Sequence, residues 1–212
     1  MKSSPDISAD AATRPVLITG MPGSGKSVTG RVLAALLSAP FVDLDNLYLE
    51  VYDITPAAEI RKNGEASFRK RERALLKRAL ADDFSVIACG GGALASEDAM
   101  SLARRRGLVV LLEASLSTLE ARLKDASNHP LLEGGKLGSR LASLLARRRR
   151  CYNLADVSVV TDRLSPMAAA LAVREALAGY VLPRYRWSCY PPRFLRAGPG
   201  WQEFVELGER TH

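Results

Sequence analysis

Gly20-Met21-Pro22-Gly23-Ser24-Gly25-Lys26-Ser27 satisfies GxxxxGK[ST] at every fixed position. It follows a short apolar run, Val16 to Thr19, and opens a segment with helical spacing, the context this pattern requires. Glycines let a backbone wrap closely around phosphate with its N–H groups turned inward. The N-terminus of the following helix adds partial positive charge. Lys26 is placed to bridge β- and γ-phosphates, and Ser27 to ligate Mg²⁺. The pattern predicts a triphosphate site formed by Gly23, Ser24, Gly25, Lys26, Ser27 and Val28, and leaves the acceptor open.

A second constellation follows about 20 residues later. Asp43 and Asp45 end the run Phe41-Val42-Asp43-Leu44-Asp45. In a strand, residues two apart share a face. The pair then offers one carboxylate to a metal and one to an acceptor hydroxyl. A helix cap followed by a solvated acid is the competing reading. Arg69 lies in Glu65 to Leu80, where Phe68, Leu75, Leu76, Ala79 and Leu80 recur on one helical face. Gly90-Gly91-Gly92 follows the strand-like Ser85 to Cys89 and permits close backbone approach to a ligand, unless it is a plain turn.

The elements that must position these residues alternate along the chain. Helical spacing covers Lys26 to Ser38. Helices are also expected over Glu97 to Arg106, capped by Ser96 and Gly107, and over Leu116 to Lys124, Leu141 to Tyr152 and Pro166 to Gly179. Strands are expected at Val16 to Thr19, Phe41 to Asp43, Ser85 to Cys89, Leu108 to Leu112 and Val157 to Val160; Asp125 to Gly138 reads as a loop. Apolar strands alternating with helices predict an α/β fold of three layers, with a five-stranded parallel sheet covered on both faces.

The 212 residues suit one domain with appendages. We expect a flexible arm over 1–14, a catalytic domain over 15–182 and an extension over 183–212. The extension holds both tryptophans and six of the 13 aromatic residues, and is expected to be irregular. The formal charge of +7 suits an anionic partner of any kind. Three cysteines in no metal-ligand spacing and two histidines argue against a zinc site and fit a reducing compartment. The start lacks a signal-peptide pattern, and no apolar run is long enough to cross a membrane. The expectations are a cytoplasmic protein, most simply a monomer, with no membrane or nucleic-acid partner and with a tail available for a protein contact.

The phosphate loop, Phe41-Val42-Asp43-Leu44-Asp45, Asn63-Gly64-Glu65-Ala66-Ser67-Phe68-Arg69-Lys70-Arg71-Glu72 and Gly90-Gly91-Gly92, in that order and spacing, resemble the shikimate kinase family from about Val16 to Asp162. Gly-Glu-x-x-Phe-Arg-x-x-Glu is the most specific piece. The resemblance implies a P-loop kinase with sheet order 2-3-1-4-5, transferring phosphate from ATP, with Mg²⁺, to the 3-hydroxyl of shikimate. It implies that Asp45 holds the substrate hydroxyls and acts as base, and that Arg69 grips the carboxylate. Gly91 supplies backbone contacts, and Asp43 supports the magnesium shell with Ser27. It places Arg122 over the adenine and makes Arg148 a second carboxylate ligand. A guanidinium suits a carboxylate because it donates two parallel charge-assisted hydrogen bonds.

Three features depart from the family. His129-Pro130-Leu131-Leu132 stands where a lid, about 125–138, usually reads Arg-Pro-Leu-Leu; Lys136 and Arg140 are the alternatives to the missing arginine. Val28 replaces a common threonine, and the aromatic tail is additional. Two alternatives stay open at this point: a related kinase for a gluconate-like acid, and a degenerate ATP-binding protein that regulates through its tail.

Overall fold

The structure, a computed structural model, describes residues 14–81, 84–124 and 136–180, together with the backbone of Leu195–Ala197. The elements run β1 (Val16–Gly20), α1 (Lys26–Leu37), β2 (Phe41–Asp43), α2 (Leu44–Tyr52), α3 (Pro56–Ala79), β3 (Val86–Ala88), α4 (Glu97–Arg106), β4 (Leu108–Glu113), α5 (Leu116–Leu123), α6 (Leu137–Tyr152), β5 (Val157–Val160), α7 (Pro166–Ala178) and β6 (Leu195–Ala197). The sheet order is β2-β3-β1-β4-β5-β6, and every pairing is parallel.

The apolar strands explain the layering. β1 is buried along its whole length, with Val16 registered against Val86 of β3 on one side and Leu108 of β4 on the other. Alternate side chains face opposite ways. Val16, Ile18, Val110 and Val159 pack on Leu33 of α1 and on Val173 and Leu177 of α7. Leu17, Ile87 and Val109 face the other layer, built from α2 to α6 around Tyr48, Phe68, Leu76, Met100 and Leu141. Burying each such aliphatic side chain is worth about 1.5–3 kcal/mol, so three layers in this register are favoured over any one-residue slip.

The five expected strands form the expected order. The backbone of Leu195–Ala197 adds a sixth strand beside β5, in the segment expected to be irregular. Two helical stretches went unexpected, α2 and the first half of α3, Pro56 to Asn63. Asp43 and Thr55 cap them, and Pro56 sits in the first turn of the second. Helix α6 begins at Leu137, so the end of the expected loop is helical. Residues 1–13, the expected lid over 125–135 including His129, and most of the expected extension over 183–212 lie outside the described residues.

Parallel strands deliver their C-terminal ends to one edge. Gly20, Asp43, Gly90 to Gly92 and Thr161 therefore meet there, beside the points where the chain crosses from one flank of β1 to the other.

Candidate active site

The loop between β1 and α1 is built on backbone geometry. Gly23 and Gly25 have φ of 79° and 90°, in the left-handed region where L side chains are strained. Gly25 is the N-cap of α1 and supplies no side-chain acceptor, whereas α2, α3, α4, α5 and α7 are each capped by Asp43, Thr55, Ser96, Ser115 or Ser165. No acidic residue lies in the first turn of α1. Its leading N–H groups are thus left to an anion. Lys26 Nζ donates to Met21 O at 3.0 Å and so lies back across the loop. Burial of the ammonium brings its pKa down to about 8, partly offset by Asp45. Ser27 and Val28 are exposed on the first turn.

The acid pair does not share a strand face, which corrects the expectation from spacing. β2 stops at Asp43, whose Oδ1 accepts from Asp45 N at 3.0 Å and Asn46 N at 3.4 Å. A short polar side chain that can satisfy the next backbone donors ends the strand and starts a helix. Asp45 stands in the first turn of α2, open to solvent within the crevice. Loss of hydration against the crevice walls, with Asp43 beside it, raises its pKa. Lys26 and Arg69 pull the other way.

Around Gly90 to Gly92 the distant segments converge. A Cβ at Gly90 would lie 2.8 Å from Glu72 Oε1 and 2.9 Å from Asp45 Oδ1. One at Gly91 would lie 3.0 Å from Arg148 Nη1, and one at Gly92 would overlap the Arg69 guanidinium. None of the three has positive φ, so their smallness serves close approach of side chains. Arg69 Nη1 donates to Glu72 Oε2 at 2.6 Å, while Nε and Nη2 donate to Glu65 Oε1 at 3.2 and 3.0 Å. Arg148 is the one buried member of the run Arg147 to Arg150. It donates to Tyr152 Oη at 3.5 Å, and Tyr152 Oη donates to Gly91 O at 2.7 Å.

Glu72 is the site residue that sequence reasoning missed. In the sequence it stands out only as part of a motif, because a glutamate in a basic helix reads as solvated. Its spacing, four residues from Phe68 and three from Leu75, puts it on the buried face and was the available signal. Only Oε2 is bonded; Oε1 is buried with no hydrogen-bond partner among the described residues. Burial raises its pKa against the pull of Arg69.

A cavity of about 340 Å³ lies on this side, lined in part by Arg69, Arg73, Arg147, Arg148, Glu65 and Glu72. Its size and converging cations suit a small organic anion. On the other side of the loop, Arg122 of α5 donates to Gly23 O at 3.3 Å and Thr161 O at 2.7 Å, joining the phosphate loop to the end of β5. Of the residues expected from sequence, the structure brings the phosphate loop, Asp43, Asp45, Arg69, Gly91, Arg122 and Arg148 to one edge of the sheet, while His129 lies outside the described residues. Among the described residues no three His, Cys, Asp or Glu side chains gather as a metal cluster.

A parallel α/β sheet with this loop, a lysine folded over it and a cation-lined cavity beside it defines a P-loop kinase for small molecules. A profile of the shikimate kinase family matches residues 22–178, and the chain belongs to that family. The shikimate kinase of Symbiobacterium thermophilum is 39% identical over 165 residues, 76% of this chain and 95% of that protein. The structure of the Acinetobacter baumannii shikimate kinase in complex with shikimate superposes with a TM-score of 0.74 at 28% identity, covering 79% of this chain and 94% of that one. The Aquifex aeolicus shikimate kinase superposes with a TM-score of 0.69 at 30% identity, covering 78% and 96%. The activity that goes with the family is ATP-dependent phosphoryl transfer to shikimate.

Proposed function

We propose that the transfer to the 3-hydroxyl of shikimate is carried out by two half-sites that share the crevice. The observation that carries the reading is the convergence of Asp45, Arg69 and Arg148 on the triple glycine, next to the loop that bears Lys26.

The triphosphate of ATP lies on the backbone of 23–28, where uncapped N–H groups and Lys26 offset its charge. Binding draws Lys26 away from Met21 O and keeps it protonated to higher pH, since nearby anions favour the ammonium. Arg122 flanks the base from α5. In the sequence His129 stands where the family's lid arginine does, and Lys136 and Arg140 are cations at the start of α6.

The acceptor's carboxylate is gripped by Arg69 and Arg148. Glu72 and Glu65 hold Arg69 in orientation, so its guanidinium is ordered before the substrate arrives. Gly91 brings backbone beside the ring. Asp45 accepts the hydroxyl proton as oxygen attacks the γ-phosphorus and the bond from that phosphorus to the bridging oxygen breaks, releasing ADP; its raised pKa makes it a better base than an ordinary aspartate.

The donor chemistry fits Mg²⁺. Ser27 offers an exposed hydroxyl, and Asp43 caps α2 through Oδ1 alone, leaving its other oxygen to an ion. Bound there with the nucleotide, Mg²⁺ would neutralise charge on the transferring phosphate.

Coupled ADP release should be measured with shikimate, gluconate and related acids. Turnover with shikimate and little with gluconate is the expected result. Asp45→Asn should still bind ATP while losing about 10²–10⁴-fold in kcat. Equal turnover with gluconate, or an active Asp45→Asn enzyme, would refute the reading.

A further inference from the structure

Helix α3 is broken. Gly64 has φ 83° and ψ 163°, a conformation essentially restricted to glycine, and the helical ladder cannot pass through it. The half that carries Phe68, Arg69 and Glu72 therefore does not inherit its direction from the half before it. Something else must fix the angle between them.

Glu59 stands on the first half and is completely buried. Its carboxylate is bonded on both sides of the break. Asn63 Nδ2 donates to Oε2 at 3.0 Å, immediately before Gly64. Ser67 Oγ donates to Oε1 at 2.8 Å and Arg71 Nη1 to Oε2 at 3.1 Å, both after it. Arg71 also lies over the Tyr52 ring, 4.9 Å from its centroid, and so ties the junction to α2, which bears Asp45. Tyr52 packs at a tilt against Tyr48 and Tyr48 against Phe68, at 4.8 and 5.1 Å between centroids. Phe68 lies beneath the Arg69 guanidinium at 4.9 Å. A buried carboxylate is costly unless fully bonded, and three donors meet that need here. Arg69 and Arg71, two residues apart, project to opposite faces: one toward the crevice, one toward Glu59.

We propose that Glu59 is a positioning residue for acceptor binding, its carboxylate pinning the two halves of α3 across Gly64 and so setting where Arg69 stands. Glu59 touches neither substrate. It acts through the angle of the second half-helix, which also determines the separation of Arg69 from Asp45. The inference rests on reading Arg69 as the partner of the acceptor's carboxylate. That reading fails on its own if the wild-type enzyme does not phosphorylate shikimate, before any variant is made.

The test is steady-state kinetics on Glu59→Gln, which keeps the shape but removes the charge that holds Arg71. The KM for shikimate should rise about 10-fold, with kcat and the KM for ATP changed less than about twofold, as expected for a misplaced binding group. In an Arg69→Ala background the same change should leave kcat/KM for shikimate unaltered, because both act through one link. A purely structural role predicts a different pattern: lowered thermal stability, both KM values raised together, and an undiminished effect without Arg69. That pattern, or an unchanged shikimate KM, would overturn the proposal. Should Glu59→Gln fail to fold, Asn63→Ala and Ser67→Ala each remove one bond without stranding a charge. Each should raise the shikimate KM by about 2–3-fold, as loss of one modest hydrogen bond would; no rise in either contradicts the pinning role.

Discussion

The two halves of the site are made in opposite ways. The nucleotide half is a continuous run of residues whose working groups are backbone N–H donors, fixed by glycines at Gly23 and Gly25 and by the start of α1. The acceptor half draws single side chains from α2, α3 and α6 around the turn at Gly90 to Gly92, and none works without neighbours to orient it. Backbone recognition is local and tolerant of flanking sequence. Side-chain recognition across three elements depends on the packing of the whole layer. Damage to one half should therefore register in a different kinetic constant from damage to the other.

The largest effect is expected at Lys26. Phosphoryl transfer depends on positioning and charge neutralisation, so Lys26→Ala should cost at least ~3 kcal/mol in kcat/KM for ATP, as for loss of a preorganised charge donor. Shikimate binding, followed by calorimetry without nucleotide, should persist. Loss of shikimate binding in this variant would show that the halves are not separable.

A smaller effect sharpens the acceptor side. Gly92→Ala places a methyl group against the Arg69 guanidinium, the end of a flexible side chain. The protein should fold with nearly unchanged thermal stability. The guanidinium should leave its bond with Glu72, raising the KM for shikimate about 10-fold, the scale of about 1.4 kcal/mol. A destabilised enzyme with normal KM would place the clash elsewhere.

The smallest expected effect is a pH dependence of the nucleotide half. Burial lowers the pKa of Lys26 to about 8 in the free enzyme, so its ammonium is lost as pH rises through that value. Bound triphosphate favours the charged form and raises the pKa in the complex. The profile of kcat/KM for ATP should thus fall above about pH 8, while kcat stays level to higher pH. A kcat/KM that is flat through pH 9.5 would contradict the burial of this lysine.

The same contrast explains what could be read without a structure. The phosphate loop was legible because its groups are adjacent in the chain and its glycines are required by φ. The strands were legible because a sheet covered on both faces needs apolar runs such as Val16 to Thr19. Asp45 was expected on a strand but stands on a helix, since i, i+2 spacing suits a strand and also the cap and first turn of a helix. The signals for α2 were present: Asp43 as cap, then Leu44, Leu47 and Tyr48 at helical spacing. Arg148 could be chosen from four consecutive arginines only by resemblance, because burial, not residue type, distinguishes it. Glu59 was invisible: its partners lie four, eight and 12 residues on, and the last two are within reach only because Gly64 bends the helix.

The central claim is that Arg69 serves the acceptor's carboxylate while the nucleotide is held independently. Its most direct test is the full kinetic comparison of wild type with Arg69→Ala, varying shikimate and ATP in turn. The account predicts a loss of about 2–5 kcal/mol in kcat/KM for shikimate, the scale for removing one partner of a desolvated charge pair, with the KM for ATP essentially unchanged. A shikimate KM that does not move, or a KM for ATP that rises in parallel, would contradict it.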